Sequence, residues 1–150
     1  MISRLRPFLL VIALGVTGCS DQLVNTRPEA IRGELWGNRA LWKAQNIDDY
    51  RYTHEVGCCT FASTRLQVTV RDGQVIDVRD ERGNVLPREE WSRVFTIDEI
   101  FEQLAEAQSR NEPTKVSYHR SLGYPVDIVL GTLSNDAGFS LLLSDLTRIH

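Results

Sequence analysis

The sequence predicts an α+β domain: a mainly antiparallel sheet, built as a three-strand meander, a helix and two or three further strands, with two helices in all. Three observations carry this. Tyr50 to Val56 and Arg65 to Arg71 alternate apolar and polar side chains at a period of two, the pattern of half-buried strands. Asp72-Gly73 separates the second run from a third, Gln74 to Arg79, by two residues suited to a tight hairpin. Thr96-Ile97-Asp98-Glu99 is a capping box that opens an apolar stripe of Ile97, Ile100, Phe101 and Leu104, so Ile97 to Arg110 reads as an amphipathic helix. Strands and helices fall in separate blocks rather than alternating, which favours an antiparallel sheet over a parallel one.

In chain order, residues 1–18 come first and read as a signal peptide. Arg4 and Arg6 are followed by an apolar run from Pro7 to Val16, too short for a membrane span of about 20 residues but long enough for a signal core. Its end, Val16-Thr17-Gly18-Cys19, resembles the lipobox of bacterial prolipoproteins. That resemblance implies a diacylglycerol on the Cys19 thiol, cleavage before Cys19 and anchoring to a membrane by acyl chains, each buried methylene contributing about 0.8 kcal/mol. An ordinary cleaved signal with an incidental cysteine, or an uncleaved apolar anchor, is the plainer alternative. Ser20 rather than Asp follows Cys19, which in a Gram-negative host points to the outer membrane, facing the periplasm. Residues 19–30 are polar and read as a lipidated tether. Residues 31–150 form a single envelope domain, whose 42% hydrophobic composition can supply a core.

The first helix is expected from Asn38, a plausible N-cap, to Asn46, since Gly33 and Gly37 weaken an earlier start near Ala30. After the meander, Asp80 to Asn84 is a polar turn and Pro87 to Trp91 is irregular. Beyond the capped helix, Thr114 to Arg120 and Pro125 to Leu130 are strands joined through Ser121-Leu122-Gly123-Tyr124. Asn135 to Gly138 makes a turn, and Phe139 to Leu143 is the last strand.

Several of these pieces together resemble a family of bacterial envelope proteins, the domain of unknown function 6174. They are Trp42 with Asn46-Ile47-Asp48-Asp49-Tyr50-Arg51-Tyr52, Val68 to Val75, Phe95 to Phe101, Val116-Ser117-Tyr118 and Leu122-Gly123-Tyr124-Pro125. The resemblance spans about residues 40–145. It implies a single envelope domain, often a lipoprotein, and supplies no reaction, substrate or cofactor. The family's cysteines are commonly separated by a residue, whereas here Cys58 and Cys59 adjoin.

Few residues carry recognisable chemistry. With Cys19 lipidated, Cys58 and Cys59 are the remaining sulfurs. Neighbouring Cα atoms lie about 3.8 Å apart, below the usual disulfide span of about 4.4–6.8 Å, so a bridge between them would be strained and easily reduced. A vicinal disulfide in the loop after the first strand, free thiols, and a redox or metal-linked role remain open readings. A site of His54, Cys58 and Cys59 lacks the four spaced ligands of structural zinc, and no metal is expected. His54 is expected beside Tyr52 on the sheet. Tyr124 is the aromatic most suited to a binding surface. Acids such as Asp127 and Asp136 are present, but no nucleophile–base motif, phosphate loop or metalloprotease motif is, so no enzyme and no cofactor are expected. The net charge of −3 becomes −5 once Arg4 and Arg6 leave with the signal, and no basic stretch is clustered, which argues against nucleic acid as a partner. The expectation is a membrane-anchored, non-catalytic domain that binds or scaffolds an envelope protein.

Overall fold

A computed structural model describes residues 28–58, 61–131 and 138–149, with side chains described from Glu34 onward except those of residues 58 and 61–63. The order is α1 (Pro28–Lys43), β1 (Tyr50–Cys58), β2 (Phe61–Arg71), β3 (Gln74–Arg79), a 3-10 helix (Arg88–Arg93), α2 (Ile97–Ser109), β4 (Thr114–Tyr118), β5 (Pro125–Leu130) and β6 (Phe139–Arg148). The six strands form one antiparallel sheet in the order β3-β2-β1-β6-β5-β4. Two meanders, β1-β2-β3 and β4-β5-β6, are therefore joined where β6 pairs with β1.

The expected hairpin turn is present. Asp72 and Gly73 both take positive φ, 49° and 69°, the backbone that matches the twist of the flanking strands. The turn is also tied to the chain before β1: Asp72 N–H donates to Asp49 Oδ1 at 2.8 Å and Gly73 N–H to Asp48 O at 3.2 Å. The capping box is complete as well. Thr96 Oγ1 accepts Glu99 N–H at 3.2 Å while Glu99 Oε2 accepts Thr96 N–H at 2.7 Å.

Both helices lie on one face of the sheet. Tyr50, Tyr52 and His54 of β1 sit opposite Val70, Val68 and Leu66 of β2, and Leu141 and Leu143 of β6 continue that face to Ile128 and Leu130 of β5. Ile97, Ile100, Phe101, Leu104 and Ala107 of α2 and Leu35 and Trp42 of α1 complete the core. Lys43–Asp98 at 2.9 Å and Arg39–Glu102 at 3.5 Å link the two helices at their exposed margins.

Several bounds differ from expectation. Helix α1 begins at Pro28, within the stretch read as a tether, and ends at Lys43 rather than Asn46. Asn38 is not an N-cap but a mid-helix residue whose Nδ2 donates to Glu34 O at 2.8 Å. Each interior glycine costs about 1 kcal/mol of helix. Burying Leu35 and Trp42 offsets that cost, at about 1.5–3 kcal/mol for a large apolar side chain. Strand β1 continues to Cys58, β2 starts at Phe61, β4 stops at Tyr118, and the segment after Pro87 coils into a 3-10 helix. Strand β6 runs five residues past Leu143, to Arg148. The turn expected at Asn135 to Gly138 lies almost wholly outside the described residues.

Gly37 is an exposed interior position of α1 where an added Cβ would meet nothing within 4 Å. Gly37→Ala is therefore expected to raise stability by about 0.5–1 kcal/mol, read as a higher urea midpoint at unchanged slope.

Candidate functional site

With both helices on one face, the opposite face of the sheet is open among the described residues. It carries Arg51, Thr53 and Glu55 of β1 and Arg65, Gln67 and Arg71 of β2, the residues that alternate away from the core. Leu142 at its centre is 47% exposed. This face is where a polar site is built.

Its organising feature is a bulge in β6. Arg51 pairs with Thr147 but Thr53 pairs with Ser144, so Asp145 and Leu146 together stand opposite Tyr52. Asp145 takes the left-handed φ of 55°, uncommon for a residue with a Cβ. The carboxylate that results accepts Thr53 Oγ1–H at 3.0 Å and Ser144 Oγ–H at 2.9 Å, with the Arg65 guanidinium 3.6 Å away. Those two hydroxyls, with a smaller effect of Arg65, hold its pKa below the usual carboxylate range.

Beside this cluster lies an open groove of about 530 Å³, lined by Thr53, Arg65, Gln67, Asp80, Glu81 and Gly83. Its far wall is the Asp80–Asn84 turn. Asp80 Oδ1 accepts the N–H groups of Arg82 and Asn84, at 2.9 and 2.8 Å, and Oδ2 accepts Asn84 Nδ2–H at 2.8 Å. The side-chain bond from Asn84 chiefly lowers the Asp80 pKa. Asp80 and Asp145 are thus occupied in holding the walls, and Arg65 is paired with Asp145 but half exposed, while Gln67 and Glu81 present hydrogen-bonding and charged groups to the groove. The groove suits binding of a polar surface carrying groups of both signs.

The residues singled out from sequence fall elsewhere. Tyr124, expected on a binding surface, is only 4% exposed. Its ring stacks on His119 at 4.9 Å between centroids and meets the edge of Trp42 at 6.1 Å. The loop that delivers it is compact: His119 N–H donates to Tyr124 O and Gly123 N–H to His119 O, both at 2.8 Å, and Leu122 N–H donates to His119 Nδ1 at 3.2 Å. Gly123 presses against α1, so Leu122-Gly123-Tyr124-Pro125 clamps the helix to the sheet and Tyr124 is turned into the core. Trp42 is core as well, whereas Trp36 is half exposed, with Arg39 over its ring at 5.6 Å.

His54 does sit beside Tyr52, with centroids 6.1 Å apart, and is fully buried. Cys58 is the last residue of β1, paired with Phe61 in the ladder rather than lying in a loop. Four residues of strand separate His54 from Cys58 by about 13 Å, against zinc–ligand bonds of about 2.0–2.3 Å, so the two do not converge on one ion. Among the described residues, no three His, Cys, Asp or Glu side chains are grouped to hold a metal. Asp127 is exposed on β5. Cys19, Cys59 and Asp136 lie outside the described residues. No described helix is long and apolar enough to cross a membrane.

A family model, described as a family of unknown function (DUF6174), matches residues 34–147, most of the chain. The chain belongs to DUF6174. In this DUF6174 member the matched stretch contains the larger, C-terminal part of α1 and all of the sheet but the last residue of β6, so the groove and the Gly123 clamp both lie within the shared region. No curated protein and no solved structure matches the chain.

Asp145, Arg65, Gln67 and Glu81 were not legible as a site from sequence. One signal was there to read: Leu141, Leu143 and Leu146 are spaced two and then three apart, a phase slip that marks the bulge.

Proposed function

We propose that this DUF6174 chain is a lipid-anchored lipoprotein of a bacterial envelope whose non-catalytic domain binds another envelope protein through the open face of its sheet. The observation that carries the binding role is the one-sided covering of the sheet, with a groove lined by polar and charged side chains on the face left bare. The anchor rests on the Val16-Thr17-Gly18-Cys19 motif behind an apolar run, and Ser20 favours the outer membrane of a Gram-negative host. The acidic balance of the mature chain favours a protein over nucleic acid.

Two measurements test the two halves of this reading. Cys19→Ala should abolish fatty-acid labelling and leave the precursor uncut, and normal processing of that variant would refute the anchor. A photo-crosslinker placed at Gln67, on the open face, should yield a discrete adduct in intact cells that Arg65→Glu removes. The same probe at Glu102, on the helical side, should yield none. Equal adducts from both positions, or from neither, would refute the open face as the binding surface.

A further inference from the structure

Three polar rings stand in one row on the inner face of β1, and the chain leading into α2 crosses over them. Tyr50 Oη accepts Ile97 N–H at 2.9 Å, and Tyr52 Oη–H donates to Phe95 O. Val94 and Thr96 are extended, with φ, ψ of −106°, 126° and −68°, 161°, so residues 97, 95 and 93 recur at the same period as 50, 52 and 54. The third place in this row belongs to His54. Its ring faces the Arg93 backbone, yet neither nitrogen completes a hydrogen bond of normal geometry, and the residue is 0% exposed. A buried polar group short of partners costs about 1–3 kcal/mol, so an apolar side chain would serve packing better at this position.

Nothing around the ring would welcome a positive charge. On β1 its neighbour is Tyr52, a phenol that burial keeps protonated. Its ladder partners on β2 and β6 are Leu66 and Leu143. In the crossing segment and the 3-10 helix before it, the charged side chains are Arg88, Glu89, Glu90 and Arg93, all of them exposed. On α2 the first-turn acids are Asp98, paired with Lys43, and Glu99, which accepts Thr96 N–H, so both are engaged away from the ring. Above the ring, Val94 joins the core and Trp91 and Phe95 pack against it. The 3-10 helix Arg88–Arg93 buries no residue fully, and Trp91 Nε1–H donates to Leu86 O at 3.1 Å within the same stretch of chain.

We propose that His54 makes the Arg88–Thr96 segment an acid-released latch, which lifts from β1 when the ring takes up a proton while α2 stays docked through Ile100, Phe101 and Leu104. Lifting admits water to the imidazolium, the charge-solvating partner the closed site lacks. Burial, opposed by the Arg93 backbone, pushes the His54 pKa down to about 4, so the latch is closed at neutral pH.

Amide exchange followed by NMR, expressed as protection relative to the intrinsic rate at each pH, tests this. Val94 N–H bonds to Trp91 O within the latch, and Val68 N–H reports the central sheet. Between about pH 7 and about pH 4, Val94 should lose at least about tenfold in protection while Val68 keeps its own. In His54→Leu, and in His54→Gln should the first variant fold poorly, Val94 should keep its protection throughout. Equal loss at Val94 in wild type and variant, parallel loss at Val94 and Val68, or an imidazole that titrates near its ordinary value would each overturn the proposal.

Discussion

Gly123→Ala is expected to destabilise the domain by about 2–5 kcal/mol, a lowering of the melting temperature on the order of 10 °C. Two penalties add at this position. Gly123 holds φ at 79°, where a Cβ meets its own backbone, at a cost of about 1–2 kcal/mol. The added carbon would also stand 2.5 Å from Asn38 O, 2.9 Å from Leu41 Cβ and 3.0 Å from Trp42 N. Two of those three atoms are helix backbone and have no rotamer by which to withdraw, so α1 itself must shift. That shift would strain the Trp42 contacts with Tyr50 and Tyr124, at 5.5 and 6.1 Å, which fasten α1 to the sheet. Thermal and urea unfolding of the two glycine variants should therefore move in opposite directions, down for Gly123→Ala and up for Gly37→Ala. Equal midpoints for wild type and Gly123→Ala would remove the clamp from the account.

Acidification is expected to cost the domain about 3 kcal/mol between about pH 6.5 and about pH 4, through one residue. His54 has a folded pKa of about 4, lowered by burial from an ordinary value of 6.5. Because the folded value is depressed, the unfolded chain binds this proton first. The stability contributed by the neutral buried ring is complete above about pH 6.5, and it drains away as pH falls toward the folded pKa. Release of the latch gives the ring back to water, so the loss levels off at the free energy needed to lift that segment. Asp145 and Asp80 act in the same direction but lower on the scale: both carboxyls are held below their usual range, so the stability they supply is lost only under more acid conditions. Urea unfolding at stepped pH should show uptake of about one proton across the upper window, and His54→Leu should flatten it. An unchanged slope in that variant would assign the proton elsewhere.

The fold was legible in the sequence wherever the signal was local. The Asp72-Gly73 turn, the Thr96 capping box and the bounds of β3 and β5 each depend on a few neighbouring residues whose backbone preference matches the final structure. Strand β6 was legible only to Leu143, because the bulge at Asp145 breaks its alternation, and a broken period reads as the end of a strand. Helix α1 was legible only in part, because its two glycines weaken a local prediction that tertiary burial of Leu35 and Trp42 overrides. The candidate site was hardly legible. Arg65, Gln67 and Glu81 are ordinary surface residues until the sheet turns them to one side and the Asp80–Asn84 turn rises beside them.

By itself the sequence determined an α+β class, a three-strand meander, a capped helix and a lipobox-like cysteine, since each is written in turn chemistry, periodicity or a short motif. Only the tertiary structure decided that β6 pairs with β1 to make one sheet of two meanders, a pairing between residues about 90 positions apart that no local preference encodes. The same long-range pairing set which face of β1 would be sealed. It put Thr53 in the open groove and His54, the next residue, in the core without partners for its nitrogens. A strand's two faces are equivalent until something packs on one of them.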